Sequence, residues 1–189
     1  MQVSTPRILD DERVVADATF LRADWTLGLI MRDSKEILDF WEKAKKATGI
    51  KGSFQDAYGF GDNPRLMDEL LILILTGKKT AATTLVREME LEGTPEPRRG
   101  EYSIILDGSE KPRAIIQTLS IRRLRFCEVD KEHAHWEGEG NRTLKSYRRN
   151  HIDYYRRRGE ALGFKFSKKM EVLLERFKLI YPLRTAHEC

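Results

Sequence analysis

A chain of 189 residues, 40% of them apolar and 34% charged, can bury one core unaided, which excludes both a disordered tract and a miniature that needs staples. The longest apolar run, Leu70 to Leu75, is too short to cross a bilayer, and the first residues lack a positive region followed by an apolar stretch, so no membrane contact is expected. Cys127 and Cys189 are the only cysteines and belong to no CxxC spacing, which fits a reducing, cytoplasmic setting.

The net charge of +4 hides an asymmetry. Residues 141–189 hold 13 Lys/Arg against 5 Asp/Glu, leaving the first 140 residues at 21 against 25. A basic third beside an acidic body can set a face against a polyanion such as RNA. Equally, Arg156, Arg157 and Arg158 can simply solvate the end of a helix.

Residues 1–32 carry β-prone pieces, Arg13 to Val15 and Leu27 to Met31, without clean alternation, and read as an irregular arm. Asp33 followed by Glu36 makes a capping box, and Ile37, Trp41 and Ala44 recur at helical spacing up to Gly49, predicting a helix over about 34–47. Asn63 before Pro64 predicts an N-cap and first turn, with Leu66, Met67, Leu70, Leu71 and Ile74 as a buried stripe ending at Gly77. The period then changes. Tyr102 to Leu106 and Ala114 to Ile121 read as two strands of a hairpin, and Arg122 to Val129 as a continuing strand. Thr143 opens a helix with Leu144, Tyr147, His151 and Tyr154 on one face, and residues 171–181 close the fold as a strand. Helices set before and between antiparallel strands predict an α+β fold closed as a small barrel.

Three clusters can carry chemistry. Gly77-Lys78-Lys79-Thr80-Ala81-Ala82-Thr83-Thr84 concentrates lysines and hydroxyls after a helix, where a lysine can activate a threonine or hold a phosphate. The plainer account is that helix C-termini attract lysines and that threonines belong in the next strand. In His133-Ala134-His135-Trp136-Glu137-Gly138-Glu139-Gly140, an extended backbone would put His133, His135, Glu137 and Glu139 on one face, a minor metal option beside solvated carboxylates. In the helix from Thr143, Arg148 and Arg149 interleave with Tyr147, Tyr154 and Tyr155, a pattern that serves phosphate contact and base stacking or an ordinary amphipathic face.

The pieces Phe60-Gly61-Asp62, Gly77-Lys78-Lys79-Thr80, Glu137-Gly138-Glu139-Gly140 and Glu175-Arg176-Phe177, with Gly100-Glu101-Tyr102 and Thr143-Leu144 between them, resemble in order the larger branch of the ASCH family. That resemblance implies a small PUA-like β-barrel over residues 36–181, preceded by an N-terminal arm (1–35) and helix and followed by a tail (182–189). It also implies RNA or a modified nucleoside as partner and no cofactor or metal. A smaller relative hydrolyses the amide of N4-acetylcytidine with a Thr, Lys and Glu set. Carried over, the lysine falls on Lys79, the glutamate on Glu137 and the threonine on Ala82, so Thr83 or Thr80 would have to supply the hydroxyl.

The resulting expectation is an RNA-binding domain extending to metal-independent ribonuclease, with Lys79 neutralising phosphate and Glu137 orienting or deprotonating the hydroxyl. Lys78, Glu139, Arg148, Tyr147, His151 and Asp62 are the expected ligand contacts. The alternatives are amide hydrolysis with Lys79 as base and Thr83 or Thr80 as nucleophile, and a binding module without turnover.

Overall fold

Ser34 opens the first helix of the computed structural model, which describes residues 34–183. Its hydroxyl accepts from the Ile37 amide at 3.4 Å, so Ser34 and not Asp33 caps α1 (Lys35–Thr48). Ile37, Trp41 and Ala44 bury as their spacing predicts, and Gly49 ends the helix in the left-handed region. The arm pieces Arg13 to Val15 and Leu27 to Met31 lie outside the described residues.

A short strand, β1 (Asp56–Tyr58), precedes α2 (Pro64–Leu75), whose Asn63 cap accepts from the Leu66 amide at 3.0 Å. Leu70, Leu71 and Ile74 form its buried face. The hydroxyl-rich segment after Lys79 is a strand, β2 (Ala81–Leu85), and it runs straight into α3 (Val86–Glu92). The predicted hairpin is β3 (Tyr102–Leu106) and β4 (Pro112–Arg125), paired from Tyr102 with Gln117 onward. The strand expected up to Val129 stops at Arg125, and a 3-10 turn (Phe126–Glu128) replaces its end.

The largest correction concerns residues 131–137. They are a helix, α4 (Lys131–Glu137), not an extended segment: Asp130 caps it by accepting from the His133 amide, and Gly138 terminates it at φ 74°. His135 is therefore exposed and does not join the face of His133 and Glu137. Thr143 caps α5 (Leu144–Leu162), and β5 (Glu171–Tyr181) follows as predicted.

The sheet runs β1-β3-β4-β5-β2, with β1 and β3 parallel and the other pairs antiparallel. It curls into a half-barrel, helped by irregularities in β4 at Ile115/Ile116 and Thr118/Ser120. Thus the α+β small-barrel expectation holds. Among the described residues four clusters make the core: Trp41 of α1 with Ile104 and Ile115; Leu71 and Ile74 of α2 with Ala82 and Phe177; Leu85 with Phe126, Tyr147 and Tyr155 beside α5; and Val86 and Met89 of α3 with Leu173. No described helix is long and apolar enough to cross a membrane.

The end of α4 closes on the loop before β2. The Thr80 amide donates to the Trp136 carbonyl at 2.8 Å, and a Cβ on Gly138 would stand 2.2 Å from the Lys78 carbonyl oxygen. Gly49 shares the left-handed φ, 71°, but has nothing within 4 Å of such a Cβ. Gly49→Ala should therefore cost about 1 kcal/mol from conformation alone, and Gly138→Ala roughly 3 kcal/mol or more from conformation plus collision. Denaturant unfolding of the two variants checks this, and equal losses would show that the loop yields freely.

Candidate active site

Alternation along β2 turns Ala82 toward Leu71, Ile74 and Phe177 and sends Thr83 the other way, toward α4 and α5. His133 and Glu137 are one turn apart on α4, so both reach Thr83 from a single helix face. The Thr83 hydroxyl donates to Glu137 Oε1 at 2.5 Å and meets Tyr147 OH at 2.8 Å and His133 Nε2 at 3.0 Å. With its one proton directed at Glu137, Thr83 Oγ1 accepts from the other two, which assigns a hydrogen to His133 Nε2. The same nitrogen lies 3.4 Å from Glu137 Oε1.

Two loops supply the charges. Lys79 Nζ donates to Glu139 Oε1 at 2.6 Å and lies 3.9 Å from Glu137 Oε2. Lys79 is 3% exposed and Glu137 1%, with Glu139 at 22% forming the wetter side. The ammonium also sits 5.4 Å from the centre of the Phe60 ring. His151 Nδ1 is 3.0 Å from the Tyr147 carbonyl, while its Nε2 is 3.3 Å from Glu137 Oε2.

Burial by itself would raise the Glu137 pKa. The charges of His151 and Lys79 and the bond from His133 outweigh it and hold the carboxyl well below the usual range. Burial would likewise strip the proton from Lys79, but Glu139 and Glu137 outweigh it and push the lysine up. Burial and Glu137 raise the Tyr147 phenol well above its ordinary value, keeping it a donor. Glu137 Oε2 is buried yet accepts no hydrogen bond, which leaves one carboxylate lone pair for an incoming donor. A hydroxyl bound to an ionised carboxylate beside an ammonium can activate a nucleophile and stabilise an oxyanion.

The sequence profile of the ASCH domain family matches residues 56–181. This chain belongs to the ASCH family. The ASCH domain from Lactobacillus crispatus superimposes with a TM-score of 0.70 at 23% identity, over 78% of this chain and 96% of that one. A protein from Enterococcus faecalis does so with a TM-score of 0.70 at 24% identity, over 82% and 99%. These likenesses show the fold of the ASCH domain. No curated protein matches this chain.

Of the residues singled out in the sequence, this ASCH domain brings together Lys79, Thr83, Glu137, Glu139, Tyr147 and His151. Thr80 is engaged elsewhere, its hydroxyl donating to the Trp136 carbonyl at 3.3 Å. Lys78 is exposed. Arg148 donates to the Cys127 and Val129 carbonyls at 3.2 and 3.4 Å, tying α5 to the 3-10 turn, and Asp62 pairs with Arg157 at 2.8 Å. Lys79 is paired with the two carboxylates Glu139 and Glu137. His133, read from the sequence only as part of a minor metal option, and Phe60, quoted only within a family motif, also contact the cluster. The i, i+4 spacing of His133 and Glu137 was the available signal, once 131–137 is read as a helix.

Lys79→Met should destabilise the domain by roughly 3–5 kcal/mol, because it leaves Glu137 and Glu139 without their shared cation. Because the folded state depresses the Glu137 pKa, Glu137 stabilises the fold above the ordinary carboxylate range, and that contribution is lost as pH falls below about 4.5. Glu137→Gln should therefore show a shallower loss of stability between about pH 5 and 3 than wild type in chemical denaturation. An unchanged acid limb would place the depressed carboxyl elsewhere.

Proposed function

We propose that this ASCH domain hydrolyses an acyl amide on a modified nucleoside of the N4-acylated cytidine type, with Thr83 as nucleophile. The observation that carries this reading is the Thr83 hydroxyl donating to a buried carboxylate, Glu137, at 2.5 Å. As Thr83 Oγ1 bonds to the acyl carbon, its proton passes to Glu137, and the charge on the carbonyl oxygen meets the Lys79 ammonium and the Tyr147 hydroxyl. Collapse breaks the C–N bond, and Glu137 returns the proton to the departing amine. Water then cleaves the Thr83 ester, releasing the carboxylic acid and restoring the hydroxyl.

A carboxylate depressed this far is a weak base at rest. A substrate oxygen that draws Lys79 toward itself removes one of the charges depressing it. The base thus strengthens as the oxyanion forms.

Lys79 also weighs on the rival reading, cleavage of an RNA phosphodiester without metal. That chemistry needs a cation free to meet phosphate, whereas Lys79 is shared by two carboxylates. The arrangement favours an uncharged acyl group, and RNA enters as a carrier of the modified nucleoside.

Purified protein should convert N4-acetylcytidine to cytidine and acetate, followed chromatographically. Thr83→Ala should lower kcat by about 1,000-fold or more, Thr83→Ser should keep a measurable fraction, and Thr80→Ala should stay near wild type. Cleavage of end-labelled RNA in EDTA, abolished by Lys79→Ala, would instead establish the ribonuclease. Binding of the nucleoside without turnover would leave a recognition module.

A further inference from the structure

Beside the Thr83 cluster the sheet carries a second feature. β4 bulges at Leu119, since Thr118 pairs with Phe177 and Ser120 with Arg176. A shallow groove of about 420 Å³ opens there, lined by Thr80, Leu119, Arg176, Phe177, Lys178 and Leu179. The groove adjoins the cluster through two neighbours: Thr80 follows Lys79, and Phe177 stacks on Phe60, the ring under the Lys79 ammonium.

The groove has unmet donor capacity. The Arg176 guanidinium lies 3.6 Å from the Trp136 ring centre, an attraction that occupies none of its N–H groups. Its Nε and Nη1 are buried with no hydrogen-bond partner. Among the described residues no carboxylate comes within 4 Å of it, and Glu132 acts only from further away. The other arginines near the site differ: Arg157 is paired with Asp62, and Arg158 with Glu88 and Glu92. Lys178, exposed on the same strand, adds a second positive charge. In the cluster around Thr83, by contrast, the one lysine is already paired with the two carboxylates Glu137 and Glu139.

We propose that the Arg176 groove holds the phosphate of a nucleotide whose base presents its acyl amide to Thr83. This rests on the hydrolase reading and narrows its substrate from a nucleoside to a phosphorylated one, either a free nucleotide or a residue in RNA. A guanidinium set over an indole, with N–H groups that have no partner among the described residues, is suited to a phosphate oxygen.

The test uses Thr83→Ala protein, which binds without turning over, titrated calorimetrically with N4-acetylcytidine and with its 5′-monophosphate. The phosphorylated probe should bind about tenfold tighter or better, and Arg176→Met should reduce that advantage to within about twofold while leaving nucleoside affinity unchanged. Leu119→Glu, at an exposed bulge position, should cut the advantage likewise and guards against a folding defect in the first variant. Equal affinity for the two probes, or an advantage that survives Arg176→Met, overturns the groove. Hydrolysis absent in wild type, with the phosphate advantage intact in Thr83→Ala, overturns the hydrolase reading alone. A trinucleotide carrying the acetylated base at its centre separates the sources: salt-sensitive binding tighter than the monophosphate identifies RNA, and binding no tighter identifies the free nucleotide.

Discussion

Lys79 and Glu137 lie where either charge alone would be costly, since an ion taken out of water without a partner carries a penalty of several kcal/mol. Each is tolerated because the other is present, with Glu139 completing the lysine and His151 the carboxylate. This requirement joins the loop before β2 to the end of α4. Gly138, at φ 74°, lets the Lys78 carbonyl pass against the helix end, and Thr80 closes on the Trp136 carbonyl through its amide and hydroxyl. β2 continues from that same loop, so the ion cluster also determines where Thr83 lands relative to Glu137. Charge compensation, loop closure and placement of the hydroxyl are one arrangement.

Much of the architecture was legible because its signals are local. Asn63 before Pro64, Thr143 before Leu144 and Gly49 after an amphipathic run each name a helix end by backbone chemistry, and each element appears where expected. What was not legible has the same physical origin in reverse. α4 is only seven residues long, and His133-Ala134-His135-Trp136-Glu137 mimics the alternation of a strand, although Asp130 and Gly138 bracket it with a cap and a stop. β1, with three residues, is paired by β3 and has too little pattern of its own. The buried residues of α3 include the charged Glu88, held by Tyr154 and Arg158 from α5, a partnership no local window contains.

The basic C-terminal third shows why a charge count is not a surface. Its arginines are largely engaged: Arg157 with Asp62, Arg158 with Glu88 and Glu92, Arg148 with two carbonyls and Arg142 with the His135 carbonyl. Asp62, Glu88 and Glu92 come from the acidic first part of the chain, so part of the asymmetry along the sequence cancels where α5 packs on α3 and reaches the loop before α2. Positive charge that survives this pairing is informative because it is selective. Arg176 is one such charge, and it stands beside the candidate active site.

In the smaller relative whose Thr, Lys and Glu set the sequence resemblance carries over, the threonine stands three residues after the lysine, a position that falls on Ala82 here. The strand geometry changes that reading. Residue 82 faces Leu71, Ile74 and Phe177, so a hydroxyl there would be buried among apolar side chains and directed away from Glu137. A shift of one residue along a strand reverses the face, and in this chain the face that meets α4 carries Thr83. Alanine at 82 and threonine at 83 are therefore a consistent pair: the small apolar residue completes the core under α2, and the hydroxyl stands among Glu137, His133 and Tyr147. Judging the site by motif spacing alone would look on the wrong side of β2.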